Sequence, residues 1–258
     1  MQKFNTIDVQ QKNGIGWITL NRPDKYNAFN EEMMGEIKDA LSYYKSDAEV
    51  KVVSFKGTGK TFASGADILD LQKMTPLDAL FPSMQGLYDL IYNYEKPTIA
   101  AIQGYAFGGG MELAAACDIR VASDNVKFGL PECKLGVMPG AGGTQRLVRL
   151  LGEAKVKELV FLGEVLDAHQ AKQLGFVSVV SSQDELEETV LELAEKIFER
   201  GSLALRVSKL SIQRSFDIPQ EVGLLLENSL QSFLFSTKDK QEGVSAFLEK
   251  RKPDFKGL

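Results

Sequence analysis

GYAFGGGMELAAACDIRVAS, residues 104–123, passes from glycine to helix to strand in one stretch and decides the architecture. Gly108, Gly109 and Gly110 open a short helix that runs through Ala116, and 119–122 reads as a strand. Upstream, Pro97 opens a strand over 98–102; downstream, 129–143 is a Pro/Gly-rich loop. A strand, a glycine-led helix and another strand in this order predict an α/β chain.

The pattern extends outward. Residues 6–12 and 15–20 predict two strands joined at Gly14 as a hairpin. Asn30 reads as an N-cap, with Glu31 and Glu32 in the first turn. Met33, Met34, Ile37, Leu41 and Tyr44 follow at helical spacing, which predicts a helix over 31–46. A short buried strand is expected over 50–55 and a helix over 76–94, broken or kinked at Pro82. Beyond 143 the chain reads as helices over 143–151, 153–162, 167–174, 183–199, 202–215, 218–235 and 238–251. One strand, 176–180, interrupts them. No strand is predicted after Gly201, so a domain boundary is placed there.

Composition bounds the function. The chain has 258 residues, 44% apolar and 25% charged, enough for a sizeable core and against a disordered chain. A net charge of −5 argues against a general nucleic-acid binder. Two cysteines, Cys117 and Cys133, and the single His169 are too few for a structural zinc site. They fit a reducing compartment instead. The first residues have no signal-peptide or transit character, and no apolar run reaches the roughly 20 residues of a membrane span. A soluble, cytoplasmic protein is expected.

Several signals fail. GTGKT (57–61) lacks the glycine that a phosphate loop requires five positions before Gly59, where Ser54 stands. No strand leads into a G-x-G-x-x-G turn. His169 reads as a surface or packing residue and Cys133 as a free thiol. Two glycine-rich segments remain, FASGAD (62–67) and the triple glycine. Each alone reads as close backbone packing. Together they compete with that reading as a pair of free N–H donors converging on one oxygen, an oxyanion hole. Glu112, in the first turn of the glycine-led helix, complements its dipole. Glu132, in GLPECKLG, reads as a loop carboxylate. Beside one oxyanion hole the two would form an acid/base pair able to add or remove water.

FASGADI (62–68), residues 104–123 and FGLPECKLGVMPGAGGTQRL (128–147) together resemble the crotonase superfamily, specifically the enoyl-CoA hydratases. NRPDKYNAF (21–29) and EGVSAFLEKRKPDF (242–255) match it too, so the resemblance spans nearly the whole chain. It implies an α/β fold, a crotonase-type spiral of repeated β-β-α units with a C-terminal all-helical region. Residues 1–200 would form the spiral catalytic core and 201–258 a helical oligomerisation region.

The resemblance also implies roles. The amides of Ala66 and Gly109 would hold the thioester carbonyl. Glu112 would activate water and Glu132 would donate a proton. Coenzyme A, part of the substrate, would lie along Lys25, Ala28, Ser64, Gly65, Ala66, Asp67 and Ile68, with Gly140 near the water. Lys250, in the cluster Lys250-Arg251-Lys252, would meet a phosphate. Leu69 stands where many relatives have a lysine, and Met111 where a cysteine is common. Segment 70–86 is expected to line the acyl end. No metal or cofactor is implied; the partners are an acyl-CoA substrate and like subunits, as a homotrimer or a hexamer built as a dimer of trimers. The alternatives are an enoyl-CoA isomerase, a hydratase of a branched or aromatic-pathway acyl-CoA, and a non-catalytic RNA- or partner-binding protein of the same fold.

Overall fold

The structure, a computed structural model, describes residues 3–258. The chain divides into two compact units, Met1–Tyr94 with Thr98–Leu191, and Glu95–Pro97 with Glu192–Leu258.

The first unit is built on a six-stranded sheet. β1 (Ile7–Lys12) and β2 (Ile15–Leu20) form the expected hairpin, with Asn13 and Gly14 both at positive φ in its turn. Every later neighbour is parallel, in the order β1-β2-β3-β4-β6-β9, with β3 at Val52–Gly57, β4 at Thr98–Ile102, β6 at Ile119–Ser123 and β9 at Val179–Ser181. All five residues of β4 are buried, as a strand covered on both faces requires. Helix α1 (Glu31–Ser46) starts where predicted, the Asn30 side chain accepting from the Met33 amide. It buries Met33, Met34, Ile37, Leu41 and Tyr44. The Tyr44 ring fills the space over Gly16, where a Cβ would lie 2.8 Å from it, and its hydroxyl donates to the Gln10 carbonyl.

A second, three-stranded sheet runs β5-β7-β8 through Tyr105–Phe107, Lys127–Gly129 and Val165–Asp167. Chain order explains the two sheets. After β4 and after β6 the chain adds one strand to the small sheet, β5 and then β7, before its next helical segment. Two isolated bridges, Ala63 to Ala106 and Phe29 to Ala66, extend the small sheet toward the start of the chain. Strands β5, β7 and β8 and helix α2 (Ile68–Lys73) escape the sequence reading because they are shorter than the window in which a period can be counted.

The predicted helix over 76–94 is two, α3 (Pro76–Leu80) and α4 (Ser83–Tyr92), parted at Pro82. Helix α5 (Gly109–Ala116) is wholly buried. Arg120 ties down its C-terminal end, donating to the carbonyls of Ala114, Cys117 and Phe176. The expected loop 129–143 holds one short 3-10 turn, Glu132–Leu135, and then enters α6 (Gly143–Leu151). The helix expected over 153–162 is α7 (Glu153–Lys157) continued by a π turn, Glu158–Leu162. Helix α8 (Ala168–Gln173) carries His169 on its exposed side. The strand expected over 176–180 begins only at Val179; Phe176 and Val177 turn into the core instead.

Helix α9 (Leu186–Phe198) crosses the division between the units. The second unit then holds α10 (Ser202–Arg214), α11 (Gln220–Phe235) and α12 (Lys238–Leu248). Its tail folds back: buried Asp239 accepts from the amides of Lys256 and Gly257, and Glu242 pairs with Arg251. Among the described residues no helix is long and apolar enough to cross a membrane.

Candidate active site

The bridge between Phe29 and Ala66 sets the first half of the site. The Phe29 amide donates to the Gly65 carbonyl at 2.8 Å, and the Asp67 amide donates to the Phe29 carbonyl at 2.9 Å. In a parallel bridge the residue between those two bonds turns its own N–H the other way. The Ala66 amide is therefore directed off the sheet. Asp67 caps α2 through the Leu69 amide and pairs with Arg22 at 2.9 Å, while Arg22 also donates to the Ala28 carbonyl. The Ser64 amide donates to the Tyr26 carbonyl. Lys25, Ala28 and the 64–68 segment, read separately in the sequence, are thus brought together on neighbouring backbone.

The triple glycine supplies the second half, and its three members serve different ends. A Cβ on Gly110 would lie 2.2 Å from the Ala63 carbonyl oxygen, so that glycine is close packing. Gly108 sits at positive φ, and a Cβ there would meet Glu132 Oε1 at 3.1 Å. Gly109 is the first residue of α5, where the N–H has no partner within the helix. A Cβ on Gly65 would lie 3.1 Å from the Gly109 nitrogen, so the two loops touch. Among the described residues neither the Ala66 nor the Gly109 amide donates a hydrogen bond. Two free donors on adjoining loops, one at the positive end of a helix, are what an oxyanion requires.

Glu112 is buried one turn into α5. Its Oε1 accepts from the amides of Gly143, at 2.7 Å, and Ala141, at 2.9 Å. Burial pushes its carboxyl above the usual glutamate range, against the pull of those two amides and the Arg146 charge. Glu132, at the start of the 3-10 turn, differs. Both its carboxyl oxygens are buried without a hydrogen-bond partner among the described residues. Burial, helped by the Glu112 charge, pushes it up to about 7. One carboxylate held by amides beside one that burial keeps protonated is a base next to an acid.

Gly140 is exposed and makes no bond to Glu112; the amides that reach it are one and three residues further on. Lys250 belongs to the second unit, exposed and at positive φ just after α12. Cys133 is exposed and Cys117 buried, and neither is in a disulfide. Among the described residues no three His, Cys, Asp or Glu side chains cluster as a metal would need. Three residues that sequence reasoning passed over stand close behind the site: Tyr88, whose hydroxyl donates to the Gly109 carbonyl at 2.8 Å, and the pair Asp89 and Arg146. No spacing rule joins α4 to a residue 57 positions on, so only the fold reveals them.

Comparison with known proteins identifies the family. The sequence profile of the enoyl-CoA hydratase/isomerase family matches residues 10–258. The chain is 40% identical to 2,3-dehydroadipyl-CoA hydratase of Escherichia coli, over 98% of this chain and 100% of that one. It is 38% identical to crotonyl-CoA hydratase of Syntrophomonas wolfei, over 98% of each. Its structure superimposes on the crystal structure of an enoyl-CoA hydratase from Bacillus anthracis with a TM-score of 0.93, at 36% identity, covering 98% of this chain and 100% of that one.

Proposed function

Because the chain belongs to the enoyl-CoA hydratase/isomerase family, we propose that it adds water reversibly across the trans-2 double bond of a 2-enoyl-CoA thioester, giving the 3-hydroxyacyl-CoA in acyl-CoA degradation. The observation that carries this reading is the pairing of an amide-held Glu112 with Glu132, whose carboxyl oxygens are buried and unpartnered, beside two free amides. The thioester carbonyl oxygen sits between the Ala66 and Gly109 amides. As water bonds to the β carbon, negative charge moves onto that oxygen, and the two N–H groups stabilise the developing enolate. Glu112 takes the proton of the attacking water. Glu132, protonated, delivers a proton to the α carbon. Lyase chemistry of this kind draws on no cofactor, coenzyme A entering as part of the substrate.

The coenzyme A chain lies along Lys25, Ala28 and residues 64–68 in this reading. Leu77, Leu80 and Phe81 of segment 70–86, all exposed, flank the acyl end in this reading. Subunits associate as trimers, alone or paired into hexamers: Ile212, Phe216, Leu225 and Phe247 all lie on the second unit's surface, and unpartnered apolar area of this kind marks an interface. Two thiols outside any disulfide fit a cytoplasmic setting.

Incubation with crotonyl-CoA, with the product identified by mass and chromatography, tests the reaction. Gain of one water is expected. A product of unchanged mass with a shifted double bond would replace hydratase with isomerase, and an unconverted substrate would remove the enzyme reading. Sedimentation of a dilute sample is expected to give a species of three or six chains; a monomer would overturn the assembly.

A further inference from the structure

Residues on α4 and α6 join next to the loop that holds Glu112. Arg146, on α6, has a side chain only 10% exposed. Its guanidinium donates to the Ala141 carbonyl at 3.0 Å, pairs with Asp89 of α4 and lies over the Tyr92 ring, 5.1 Å from its centroid. A planar fork that binds two acceptors while stacking on an aromatic ring is fixed in three directions, as a lysine would not be. The backbone is shaped to receive it: a Cβ on Gly142 would lie 2.0 Å from Arg146 Nη1. Arg146 thereby grips the loop whose other peptide groups hold Glu112. The Ala141 and Gly143 amides both fall on Oε1, and among the described residues no hydrogen bond reaches Oε2.

We propose that Arg146, anchored by Asp89, is a positioning residue: it aims the Ala141 and Gly143 amides at one oxygen of Glu112, so that Oε2 alone is presented to water as the base. This inference rests on the hydratase reading above. A base fixed by one oxygen keeps a single lone-pair direction toward the β carbon, and a base free to rotate does not. The charged and titratable groups around Glu112 are Arg146 from α6, Tyr88 from α4 and Glu132 from the 3-10 turn. Of these only Arg146 favours the ionised form.

Arg146→Gln is expected to lower kcat about 10- to 100-fold with KM nearly unchanged, since a displaced base harms the transition state more than binding. The acid limb of the kcat/KM profile should move to higher pH, because Glu112 loses the charge that opposed its burial. Arg146→Lys, which keeps charge without the fork, should restore the acid limb and recover only part of kcat. Asp89→Asn, at an exposed position, serves if Arg146→Gln fails to fold; it should lower kcat in the same sense and shift the acid limb less. Wild-type kcat and limb in Arg146→Gln, or in Asp89→Asn if that is the variant that folds, would overturn the inference, as would a loss confined to KM. Wild-type protein that fails to hydrate crotonyl-CoA would instead overturn the hydratase reading, so the two failures are distinguishable.

Discussion

Glu112→Gln and Glu132→Gln should each slow hydration by roughly 10²–10⁴-fold, the range of one acid/base group. Both should fold and bind substrate. In Glu112→Gln the amide oxygen can still accept from Ala141 and Gly143, so the loop stays in place while the nitrogen at the Oε2 position cannot take a proton. Glu132→Gln buries a neutral group where burial already favours one. The double variant should lose far less than the product of the two factors, because both groups act on one water. The wild-type pH profile follows from the same geometry. Hydration needs Glu132 protonated, so kcat/KM should fall as pH rises through about 7, the two carboxyls titrating as a pair. In Glu112→Gln the neighbouring negative charge is gone, and the residual alkaline limb should move to lower pH. Steady-state rates with crotonyl-CoA from pH 5 to 9 measure all of this. Near-full hydration by Glu112→Gln would remove the water-activating role assigned to Glu112.

Gly65→Ala should cost roughly 10²–10³ in kcat, the loss seen when an oxyanion donor is misplaced. The added methyl would sit 3.1 Å from the Gly109 nitrogen and 3.2 Å from the Phe107 carbonyl oxygen, tighter than an ordinary contact. Gly65 also lies at φ 100°, so a side chain adds strain, about 1–2 kcal/mol per left-handed residue. Relief comes by parting the two loops, which separates the Ala66 amide from the Gly109 amide. KM should change little, since the oxygen gains its charge only in the transition state. Gly35→Ala, on the exposed side of α1 with nothing within 4 Å, is the control and should leave kcat as it is. A lower melting temperature with unchanged kcat in Gly65→Ala would show that these amides do not hold the oxyanion.

The parts legible in the sequence were those with a long period or a dense local signature. The hairpin, α1 with its Asn30 cap, the break at Pro82 and the helical end could all be read from spacing. The small sheet could not, because β5, β7 and β8 have three residues each and no alternation can be counted over three. GTGKT shows why a glycine cluster is ambiguous in sequence. Buried Asn27 donates to the carbonyls of Thr58 and Thr61, and a Cβ on Gly57 would strike the Thr61 carbonyl oxygen at 2.3 Å. That cluster is packing, whereas in GGG packing and a free donor occur one residue apart. Glu112 and Glu132 were visible as a motif pair. Arg146 was not, because its partners come from a different helix and from main-chain atoms that carry no residue identity.

The bare carboxyl of Glu132 makes the folded chain a stronger proton acceptor than the unfolded one. Its folded value is about 7 against 4.5 for an ordinary glutamate. Between those values the native state binds more protons, so its stability over the unfolded chain declines as pH rises through that window and is recovered as pH falls. The group that serves as the acid therefore weakens the fold most where it is ionised. Glu132→Gln should melt above the wild type at pH 8 and approach it near pH 5, an inactive protein hardier than the active one.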